Sequence, residues 1–395
     1  MTTPYMTASE AAAELGVALP TLYAYVSRGM IRSEARAGRR SRLYRAEDVR
    51  TLAARKMVSP ADGAAGDRAL DWGAPLLESA ITLIADGRLY YRGRDAARLA
   101  ETASLETVAG LVWERAEDDP FAAPPPEVPD GLPPLPGLRP LDRCLAALPI
   151  VAATDPAQHN LTPAGIAATG AGLVRWVAAL AVDDDPDRRP AHRYLAESWN
   201  APPAADELIR AALVLCVDHE LNASTFTVRC VASTGAGPYG AVMAGLAALQ
   251  GPRHGGLTER VAAALPALLE ASDPTAVVAD RLRRGDGLPG FGHPLYPDGD
   301  PRAEALLAMM RRALPDHPDI AAGLRLIKAA KAVAGQPPTI DFALGLLERA
   351  LGLPAGSALS IFAVGRTVGW IGHAMEQYRD SRLIRPRARY VGAHP

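Results

Sequence analysis

Three histidines lie in segments whose composition favours a functional role. His219 follows an apolar helix in LVLCVDHELNAST, His254 is enclosed by small residues in GPRHGGLTE, and His293 lies on a Gly- and Pro-rich loop in GLPGFGHPLYPDGDPR. Imidazole titrates close to neutral pH and can donate or accept a proton during catalysis. These histidines are therefore candidate acid–base or hydrogen-bonding groups.

Carboxylate and guanidinium groups lie in similar segments. Asp341 directly precedes a predicted helix in QPPTIDFALGLL, and Arg302 lies nine residues after His293. Arg366 in AVGRTVGW and Arg385 in RLIRPRARY form a C-terminal pair. Aspartate can act as a base, and a forked guanidinium matches a carboxylate. Chemistry is thus concentrated in five short segments.

Each of these residues also has a purely structural interpretation. His219 could be a cation that stabilises the C-terminus of a helix, and Asp341 could be a helix N-cap. His254 and His293 could be ordinary loop histidines. The sequence holds no His-x-x-x-His pair and its cysteines are remote, so we expect no metal site. It also has no G-x-S-x-G elbow that would support Ser-His-Asp hydrolysis.

The elements expected to position these residues are mostly helices. Ile81 and Leu83 precede an Asp-Gly pair, and Leu89 and Tyr91 follow it, which is typical of a β-hairpin. Residues 120–140 are rich in proline and predict an extended surface loop. Beyond them the sequence is rich in Ala and Leu and is interrupted regularly by Pro and Gly. This pattern predicts a mainly α body.

The N-terminal end predicts two short helices joined by a turn. Thr7 and Glu10 form a capping-box pattern at the start of a helix that ends at Gly16. Pro20 fits the first turn of a second helix, which extends to Arg28. The apolar residues spaced to pack these helices together are Ala12, Leu15, Val17, Leu22 and Val26.

A basic hairpin is predicted after the second helix. Leu43 and Tyr44 alternate with polar neighbours there, among the arginines Arg36, Arg39, Arg40, Arg42 and Arg45. Helix, turn, helix and basic hairpin together describe a helix-turn-helix with a wing. The segments TASEAAAELGVALPTLYAYVSRGMI and RSRLYRAEDV resemble the MerR and excisionase-like winged helix-turn-helix family.

This resemblance implies that the second helix would enter the major groove of DNA. The wing arginines would contact phosphates, so the affinity would depend on salt. The residues expected at this interface are Thr21, Tyr23, Tyr25, Arg28, Arg39, Arg40 and Arg42. The same fold could instead serve as a protein-interaction or dimer-docking module, because one copy binds DNA weakly without a dimer.

The net charge changes sign at the end of the predicted helix-turn-helix segment. Residues 1–56 carry ten basic and five acidic side chains, so the rest carries −7 within a total of −2. A small basic head on an acidic body suggests that the two parts meet different partners. Residues 57–73 are predicted to be a linker. The excess of arginine over lysine is typical of a GC-rich genome.

Composition excludes several classes of protein. Hydrophobic residues make up 49% and charged residues 22%, which excludes general disorder. No charge-free apolar stretch is long enough for a membrane span, and the N-terminus lacks the pattern of a secretory signal. Cys144, Cys216 and Cys230 are too few and too scattered for a disulfide framework. We therefore expect a cytoplasmic, metal-free protein of two or three folding units.

Six motifs follow one another between about residues 74 and 392. They are DHELNASTFTVR, GPRHGG, PGFGHPLY with DPR, IDFALG, GRTVGW and RPRARY. In this order they resemble the site motifs of the citrate synthase family. The resemblance implies a mainly α homodimer with the citrate synthase fold, preceded here by the winged helix-turn-helix domain of residues 1–56. The large domain would comprise residues 74–256 and 347–392, and the small domain residues 257–346.

The resemblance also implies a reaction and a role for each residue. The family condenses an acyl-CoA, usually acetyl-CoA, with oxaloacetate, and it needs no cofactor besides this substrate. Asp341 would be the base, His254 would donate a hydrogen bond to the thioester oxygen, and His293 would polarise the ketone of oxaloacetate. The residues expected to bind the carboxylates of oxaloacetate are His219, Arg302, Arg366 and Arg385 of the partner subunit.

The chain departs from the family pattern at three places. Pro294 and Pro297 stand where many members carry basic residues that can meet CoA phosphates. Residues 257–258 are Leu-Thr where Ala-Asn is frequent, and residues 343–344 are Ala-Leu where Tyr-Ser is usual. These departures bear on CoA affinity and on the preferred acyl chain.

Several functions remain open at this point. The first is a citrate synthase of the tricarboxylic acid cycle, with 2-methylcitrate synthase, which uses propionyl-CoA, as the nearest variant. The second is a DNA-binding regulator whose synthase-like body senses oxaloacetate, citrate or acyl-CoA, and a third is a protein that does both. All three acid–base residues of the family pattern are present, which favours the enzyme.

Overall fold

The protein forms two compact units, Met1–Glu78 and Ser79–Pro395. The structure is a computed structural model that describes residues 5–17, 19–27, 30–35, 42–50, 77–388 and 390–393. Arg28, Arg39, Arg40 and the predicted linker 57–73 lie outside the described residues.

The N-terminal unit contains two short helices, α1 (Ala8–Glu14) and α2 (Leu19–Ser27). The predicted capping box is present at the start of α1. The amide N–H of Glu10 donates to the Thr7 hydroxyl, and the amide N–H of Thr7 donates to the Glu10 carboxylate at 2.8 Å. Gly16 has a φ of +59°, which favours glycine and ends the helix. The predicted pair of helices is confirmed.

Three short antiparallel strands complete this unit. β2 (Ser33–Ala35) pairs with one edge of β3 (Arg42–Arg45), as the predicted hairpin requires, and β1 (Tyr5–Met6) pairs with the other edge. The sequence gives no signal for β1, because two residues are too few to show an alternating pattern. Arg42 is exposed and donates to the Ser33 hydroxyl at 3.0 Å.

A small apolar core holds these elements together. Its buried members are Ala11, Ala12, Leu15, Leu22, Ile31, Tyr44 and Val49. Thr21 and Tyr23 on α2 are exposed, as expected of residues that face outward. Tyr25 is partly buried against the core, so its predicted exposure is wrong. Tyr25 lies three residues after Leu22, and this spacing places both side chains on the inward face of α2.

The C-terminal unit begins with the predicted β-hairpin. Its strands are β4 (Thr82–Ala85), β5 (Arg88–Tyr91) and the short β6 (Arg94–Asp95), in antiparallel order. Asp86 and Gly87 between β4 and β5 have φ of 52° and 69°. Positive φ at both central residues is the geometry of a type I′ turn, which Asp-Gly favours.

The inward face of β4 differs from the predicted one. Leu89 and Tyr91 on β5 are buried as expected, but Leu83 is 56% exposed. Thr82 lies opposite Tyr91 and Ile84 opposite Leu89, so these two residues of β4 share the inward face. The apolar alternation that includes Leu83 therefore assigns it to the wrong side of the sheet.

Helices make up most of the remaining unit, which confirms the mainly α fold. They are α3 (Ala96–Thr102), α4 (Leu105–Val112), α5 (Pro140–Thr154), α6 (Pro163–Val182), α7 (Ala191–Ser198), α8 (Ala205–Leu215), α9 (Ala223–Ala232), α10 (Pro238–Leu249), α11 (Gly256–Leu269), α12 (Pro274–Arg284), α13 (Pro301–Ala313), α14 (Pro318–Ala334), α15 (Ile340–Ala350) and α16 (Ser357–Asp380). A 3-10 turn, Pro156–His159, follows α5. Residues 120–139 contain neither helix nor strand, as their proline content predicts.

α16 passes through the core and is buried along most of its length. It packs against α6, α8, α9 and α10. Gly369 permits a close approach to the segment after α8, because a Cβ there would collide with the carbonyl oxygen of Val217. Arg366 lies one helical turn earlier, and its Nε donates to the carbonyl of Cys216 at 2.9 Å. The approach of these two elements therefore fixes one side of the candidate site.

α6 is long and apolar enough to cross a membrane, with a mean hydropathy of 1.6 over its most apolar window. Within the protein 78% of that window is buried. Arg175 interrupts the helix, and its guanidinium donates to the carbonyl oxygens of Phe121 and Ala123 at 2.6 and 2.8 Å. Packing against α5 and α16 accounts for the apolar composition of α6.

A second group of helices, α11, α12, α14 and α15, packs on itself. α13 contacts this group through α15, and it also contacts α3, α8 and β5. α13 therefore lies between the second group and the elements around the hairpin. The residues at its N-terminal end belong to the candidate site.

Candidate active site

His219 and His293 lie side by side, together with Tyr296. Their ring centroids are 5.3 Å apart in an edge-on arrangement, and the centroid of Tyr296 is 5.2 Å from that of His293. Nε2 of His219 lies 3.0 Å from the Tyr296 hydroxyl. Tyr296 is not among the residues predicted from sequence. Its position three residues after His293 is the one feature that could have indicated it.

His219 is buried in the segment between α8 and α9. Burial, reinforced by the charges of Arg302 and Arg366, holds its pKa well below the ordinary value. The ring is therefore neutral at pH 7. The lowered pKa favours a neutral ring over a cation that stabilises the C-terminus of α8.

The loop that carries His293 is fixed by two backbone hydrogen bonds. The N–H of Gly292 donates to the carbonyl of Pro337, and the N–H of Thr339 donates to the carbonyl of Gly290, both at 2.8 Å. Gly290 and Gly292 have φ of +82° and +77°, which favour glycine. These bonds hold His293 close to the first turn of α15.

One ring nitrogen of His293 has a defined role. The N–H of Leu295 donates to its Nδ1 at 3.2 Å, so Nδ1 is an acceptor. Burial lowers the pKa of His293 to about 4. The ring is neutral at pH 7 and carries its proton on Nε2.

His254 lies on a tight turn before α11. Its N–H donates to the carbonyl of Gly251 at 2.9 Å, and its Nε2 is 2.7 Å from the Ser224 hydroxyl oxygen. Burial, with the charges of Arg366 and Arg302, lowers its pKa to about 3. This ring is also neutral at pH 7.

Ser224 determines which nitrogen of His254 carries the proton. The Ser224 oxygen accepts from the indole N–H of Trp370 at 3.2 Å, and the Ser224 hydroxyl donates to Oδ1 of Asn222 at 2.8 Å. The hydroxyl has a single proton. Because that proton goes to Asn222, Ser224 accepts from Nε2 of His254 in this arrangement. If the hydroxyl turned to donate to His254, the ring proton would lie on Nδ1 instead.

Asp341 lies in the first turn of α15, whose N-cap is Thr339. Asp341 is therefore not the N-cap, which lies two residues earlier in the chain. Its carboxylate contacts two side-chain hydroxyls instead. Oδ1 accepts from the Thr258 hydroxyl at 2.7 Å, and Oδ2 lies 3.3 Å from the Thr339 hydroxyl. Burial raises the pKa of Asp341 above its ordinary value, and the bond from Thr258 partly offsets this rise.

Arg302 at the start of α13 is paired with Asp300. Its Nε and Nη2 donate to the two carboxylate oxygens at 3.0 and 2.8 Å, and both side chains are buried. Oδ2 of Asp300 also accepts from the N–H of Ile340 at 3.0 Å. Although burial opposes the charge, Asp300 raises the pKa of Arg302. The same carboxylate thus orients Arg302 and the first turn of α15.

Arg366 differs from Arg302 because it lacks a carboxylate partner in direct contact. It is 1% exposed, and neither Nη1 nor Nη2 has a hydrogen-bond partner among the described residues. Burial lowers its pKa, and Asp218 is the main charge that opposes this effect. Two donors of a buried cation are therefore available for an anion.

Asp218 and His373 form a buried pair that the sequence analysis missed. Oδ2 of Asp218 accepts from the Thr82 hydroxyl at 2.6 Å and lies 3.2 Å from Nε2 of His373. Although burial acts in the opposite direction, His373 and Arg366 hold the pKa of Asp218 below its ordinary value. Asp218 is the first residue of the DHELNASTFTVR motif, but sequence alone could not show which side chain of that motif faces α16.

Arg385 is not brought to the site within one chain. It lies in the segment after α16, is exposed, and makes no hydrogen bond or ion pair with any described residue. Its predicted role involves a second subunit and stays a prediction. Across the described ranges, no group of three His, Cys, Asp or Glu side chains could hold a metal ion.

Two protein families match the chain. Residues 69–387 match the family described as citrate synthase, C-terminal domain. Residues 6–57 match MerR HTH family regulatory proteins. These ranges correspond to the body and the head distinguished by sequence.

Relatives match along most of the body. Citrate synthase 2 of Bacillus subtilis is 29% identical over 345 residues, which cover 80% of this chain and 93% of that protein. Citrate synthase of Haloferax volcanii is 34% identical over 342 residues, covering 78% and 90% respectively. The 2-methylcitrate synthase of Shewanella oneidensis is 32% identical over 218 residues, covering 54% and 58%.

Solved structures share the fold. Citrate synthase from Thermotoga maritima superposes with a TM-score of 0.69 at 25% identity, covering 82% of this chain and 95% of that one. Citrate synthase from Thermoplasma acidophilum, solved with carboxymethyl coenzyme A and oxaloacetate, gives a TM-score of 0.65 at 24% identity with the same coverage. The chain therefore belongs to the citrate synthase family, and its N-terminal unit is a helix-turn-helix of the MerR family.

Proposed function

We propose that this protein condenses acetyl-CoA with oxaloacetate through an enol or enolate, and then hydrolyses citryl-CoA to citrate and CoA. The observation that carries the proposal is the buried guanidinium of Arg366, whose terminal nitrogens have no partner among the described residues. A buried cation whose terminal nitrogens lack hydrogen-bond partners is costly, so an anionic ligand is favoured at this point. Oxaloacetate supplies two carboxylates.

The carboxylates would be shared among several donors. Arg366 offers Nη1 and Nη2, and Arg302 offers Nη1, since its other donors are held by Asp300. His219 would add a further hydrogen bond. Arg385 of the partner subunit would complete the site, so the proposed enzyme is a homodimer.

Asp341 would be the base. The methyl group of a thioester is a weak carbon acid, and a carboxylate with an ordinary pKa is a weak base. Burial raises the pKa of Asp341 and so strengthens it as a base. The carboxylate would take a proton from the methyl carbon of acetyl-CoA and hold it as the neutral acid.

His254 would stabilise the charge that develops on the thioester oxygen. Its Nε2 faces Ser224, so the donor must be the N–H on Nδ1. This tautomer requires the Ser224 hydroxyl to turn from Asn222 and donate to Nε2 of His254. With a pKa of about 3, the ring would donate as neutral imidazole.

His293 would act on the second substrate. Its neutral ring carries the proton on Nε2, because Nδ1 accepts from the N–H of Leu295. Donation from Nε2 to the ketone oxygen of oxaloacetate would polarise the carbonyl and stabilise the alkoxide formed by carbon–carbon bond formation.

The proposal includes the division into a large domain, 74–256 and 347–392, and a small domain, 257–346. The substrate-binding Arg366 would belong to the large domain and the base Asp341 to the small one. Closure of the two domains would exclude water while the enolate exists. The packing of α11, α12, α14 and α15 on one another supports this division.

For the acyl chain we propose acetyl-CoA. The two relatives matched over 93% and 90% of their length are named citrate synthases. The relative named 2-methylcitrate synthase is matched over 58%. The rates of CoA release from acetyl-CoA and from propionyl-CoA distinguish the two acyl chains.

The test is release of the CoA thiol from acetyl-CoA with and without oxaloacetate. The wild-type protein should release CoA in the presence of oxaloacetate, and Asp341→Asn should lower the rate by roughly 10²- to 10⁴-fold because the base is lost. Asp316→Asn, at an exposed position outside the site, is the matched control and should keep the wild-type rate. Failure of the wild-type protein to release CoA with either acetyl- or propionyl-CoA would overturn the proposal.

We also propose that the N-terminal unit binds duplex DNA. The match to MerR regulatory proteins and the exposure of Thr21 and Tyr23 on α2 support this proposal. Arg42 on β3 and the predicted wing residues Arg39 and Arg40 would contact phosphates.

A further inference from the structure

Thr258 connects the two elements that carry the proposed base and the proposed hydrogen-bond donor. It lies four residues after His254, in the first turn of α11, and it is fully buried. Its hydroxyl donates to Oδ1 of Asp341 on α15 at 2.7 Å. One hydrogen bond therefore ties the start of α11 to the first turn of α15.

The Thr258 hydroxyl is the donor in this bond, and Asp341 in the ionised form that a base requires can only accept. The second oxygen of Asp341 is held less firmly. Thr339 lies 3.3 Å from Oδ2, and its single proton is shared with the carbonyl of Gly290 at 3.2 Å. Thr258 is thus the main hydroxyl donor to this carboxylate.

We infer that Thr258 is a positioning residue that orients the carboxylate of Asp341 toward the substrate and fixes its distance from His254. The inference rests on the proposed function, in which Asp341 is the base. Residues 257–258 depart from the Ala-Asn that is frequent in the family, and Thr258 supplies a short, β-branched donor with restricted rotation. At this departure from the family pattern, a hydroxyl contacts the carboxylate of Asp341.

The same bond influences the protonation of Asp341. Burial raises the pKa of this carboxyl, whereas the hydrogen bond from Thr258 lowers it by favouring the charged form. The titratable groups that surround the site are Arg302 and Asp300 at the start of α13, Cys216 after α8, Arg366 on α16 and His254 before α11. A substitution of Thr258 leaves all of these groups in place.

The experiment compares the pH dependence of kcat in Thr258→Val, Thr258→Ser and the wild-type protein. Valine keeps the shape of threonine but lacks the donor, so the pKa of Asp341 should rise further. The acid limb of kcat should therefore move to higher pH by about one unit. At the plateau kcat should fall by roughly 10-fold because the carboxylate is less well oriented, while KM for oxaloacetate is unchanged. Serine restores the donor and should restore the wild-type limb.

Thr169→Val is the matched control. Thr169 on α6 is buried, and its hydroxyl has no hydrogen-bond partner among the described residues. Its replacement removes a buried hydroxyl without affecting Asp341, so the pH profile should not change. A limb shift in this control equal to that of Thr258→Val would overturn the inference.

The outcomes also separate this inference from the proposed function. An inactive wild-type protein contradicts the proposed function, and the inference falls with it. An active wild-type protein with an unchanged acid limb in Thr258→Val contradicts the inference alone. If the valine variant does not fold, Thr258→Ala and Thr258→Ser give the same comparison, because alanine and serine differ by the hydroxyl. Identical limbs in that pair would equally overturn the inference.

Discussion

The Tyr296 hydroxyl lies 3.0 Å from Nε2 of His219 and joins the loop before α13 to the segment after α8. Tyr296 also lies beside Arg302, whose guanidinium carbon is 5.9 Å from the centre of the phenol ring. The segment after α8 carries His219 and α13 carries Arg302, and both residues are proposed to bind oxaloacetate. The tyrosine therefore orients two such residues relative to each other, although it is absent from the predicted site.

Tyr296→Phe should weaken binding of oxaloacetate. The substitution removes the hydrogen bond to His219 and keeps the ring beside Arg302. We expect KM for oxaloacetate to rise by roughly 5- to 10-fold, in line with a hydrogen bond worth about 1 kcal/mol, with a smaller effect on kcat. Tyr378→Phe is the matched control, because its hydroxyl donates to the carbonyl of Ala236 at 2.6 Å. Equal KM values in the two variants would contradict this role.

Arg366→Gln should abolish stabilisation of the protein by oxaloacetate. A ligand that binds the folded state raises the free energy of unfolding by about 2.7 kcal/mol at a concentration of 100 Kd. We therefore expect oxaloacetate to raise the Tm of the wild-type protein by several degrees, and to leave that of Arg366→Gln unchanged, because the two available donors are lost. Differential scanning fluorimetry measures both. Arg94→Gln, at an exposed position on β6, is the control and should retain the full shift. A full shift in Arg366→Gln would show that the anion binds elsewhere.

The mainly α fold, the Asp-Gly turn and the start of α1 could be predicted from sequence, because each depends on local features of the chain. The Asp-Gly pair determines the type I′ turn, and Thr7 with Glu10 determines the start of α1. The error at Leu83 arises because apolar alternation reports a face only when the register is known. The register depends on pairing with β5, which is not a property of β4 alone.

Sequence could not predict the contacts that tune the site. Thr258 meets Asp341 across 83 positions of the chain, and Asp218 meets His373 across 155. Tertiary packing of α11 on α15 and of α16 on the segment after α8 creates these pairs. The family resemblance suggests Asp341 as the base but gives no sign of the Thr258 hydroxyl bonded to it.

Folding stability should fall with acidification because His254 and His293 are buried as neutral rings. Their pKa values are about 3 and about 4 in the folded protein, against about 6.5 in the unfolded chain. The two states bind protons equally above pH 6.5. As the pH falls from about 6.5 to about 4, the unfolded chain takes up protons that the folded protein does not. Each ring should lower the free energy of unfolding by up to about 1.4 kcal/mol per pH unit in that window.

Urea unfolding of His293→Gln at pH 7 and pH 5 tests this pH dependence. The variant should lose less stability than the wild-type protein between these two values, since glutamine does not titrate. His159→Gln, at an exposed position in the 3-10 turn, is the matched control and should keep the wild-type dependence. The same loss of stability in His293→Gln as in the wild-type protein would show that His293 is charged in the folded state.

Ser224→Ala should lower kcat. The Ser224 hydroxyl lies 2.7 Å from Nε2 of His254, and without it neither the orientation nor the tautomer of the ring is defined. We expect kcat to fall by roughly 10- to 100-fold, while KM for oxaloacetate is little changed, because the proposed role of His254 is on the thioester. Ser360→Ala is the matched control, since its hydroxyl donates to the carbonyl of Gly356 within the first turn of α16. An unchanged kcat in Ser224→Ala would exclude His254 as the donor.

Binding of a duplex to the full-length protein should weaken steeply with added salt. The wing arginines would neutralise phosphates, and the logarithm of affinity falls with the logarithm of salt by about 0.9 for each phosphate contact. Arg39→Gln and Arg40→Gln together should therefore reduce the salt slope by about two. Tyr23→Ala should weaken binding at the exposed face of α2, whereas Arg94→Gln on the C-terminal unit should have no effect. Fluorescence anisotropy with a labelled duplex measures each slope. An unchanged salt slope in the wing variant would contradict phosphate contacts by the wing and favour a protein-interaction role for the helix-turn-helix.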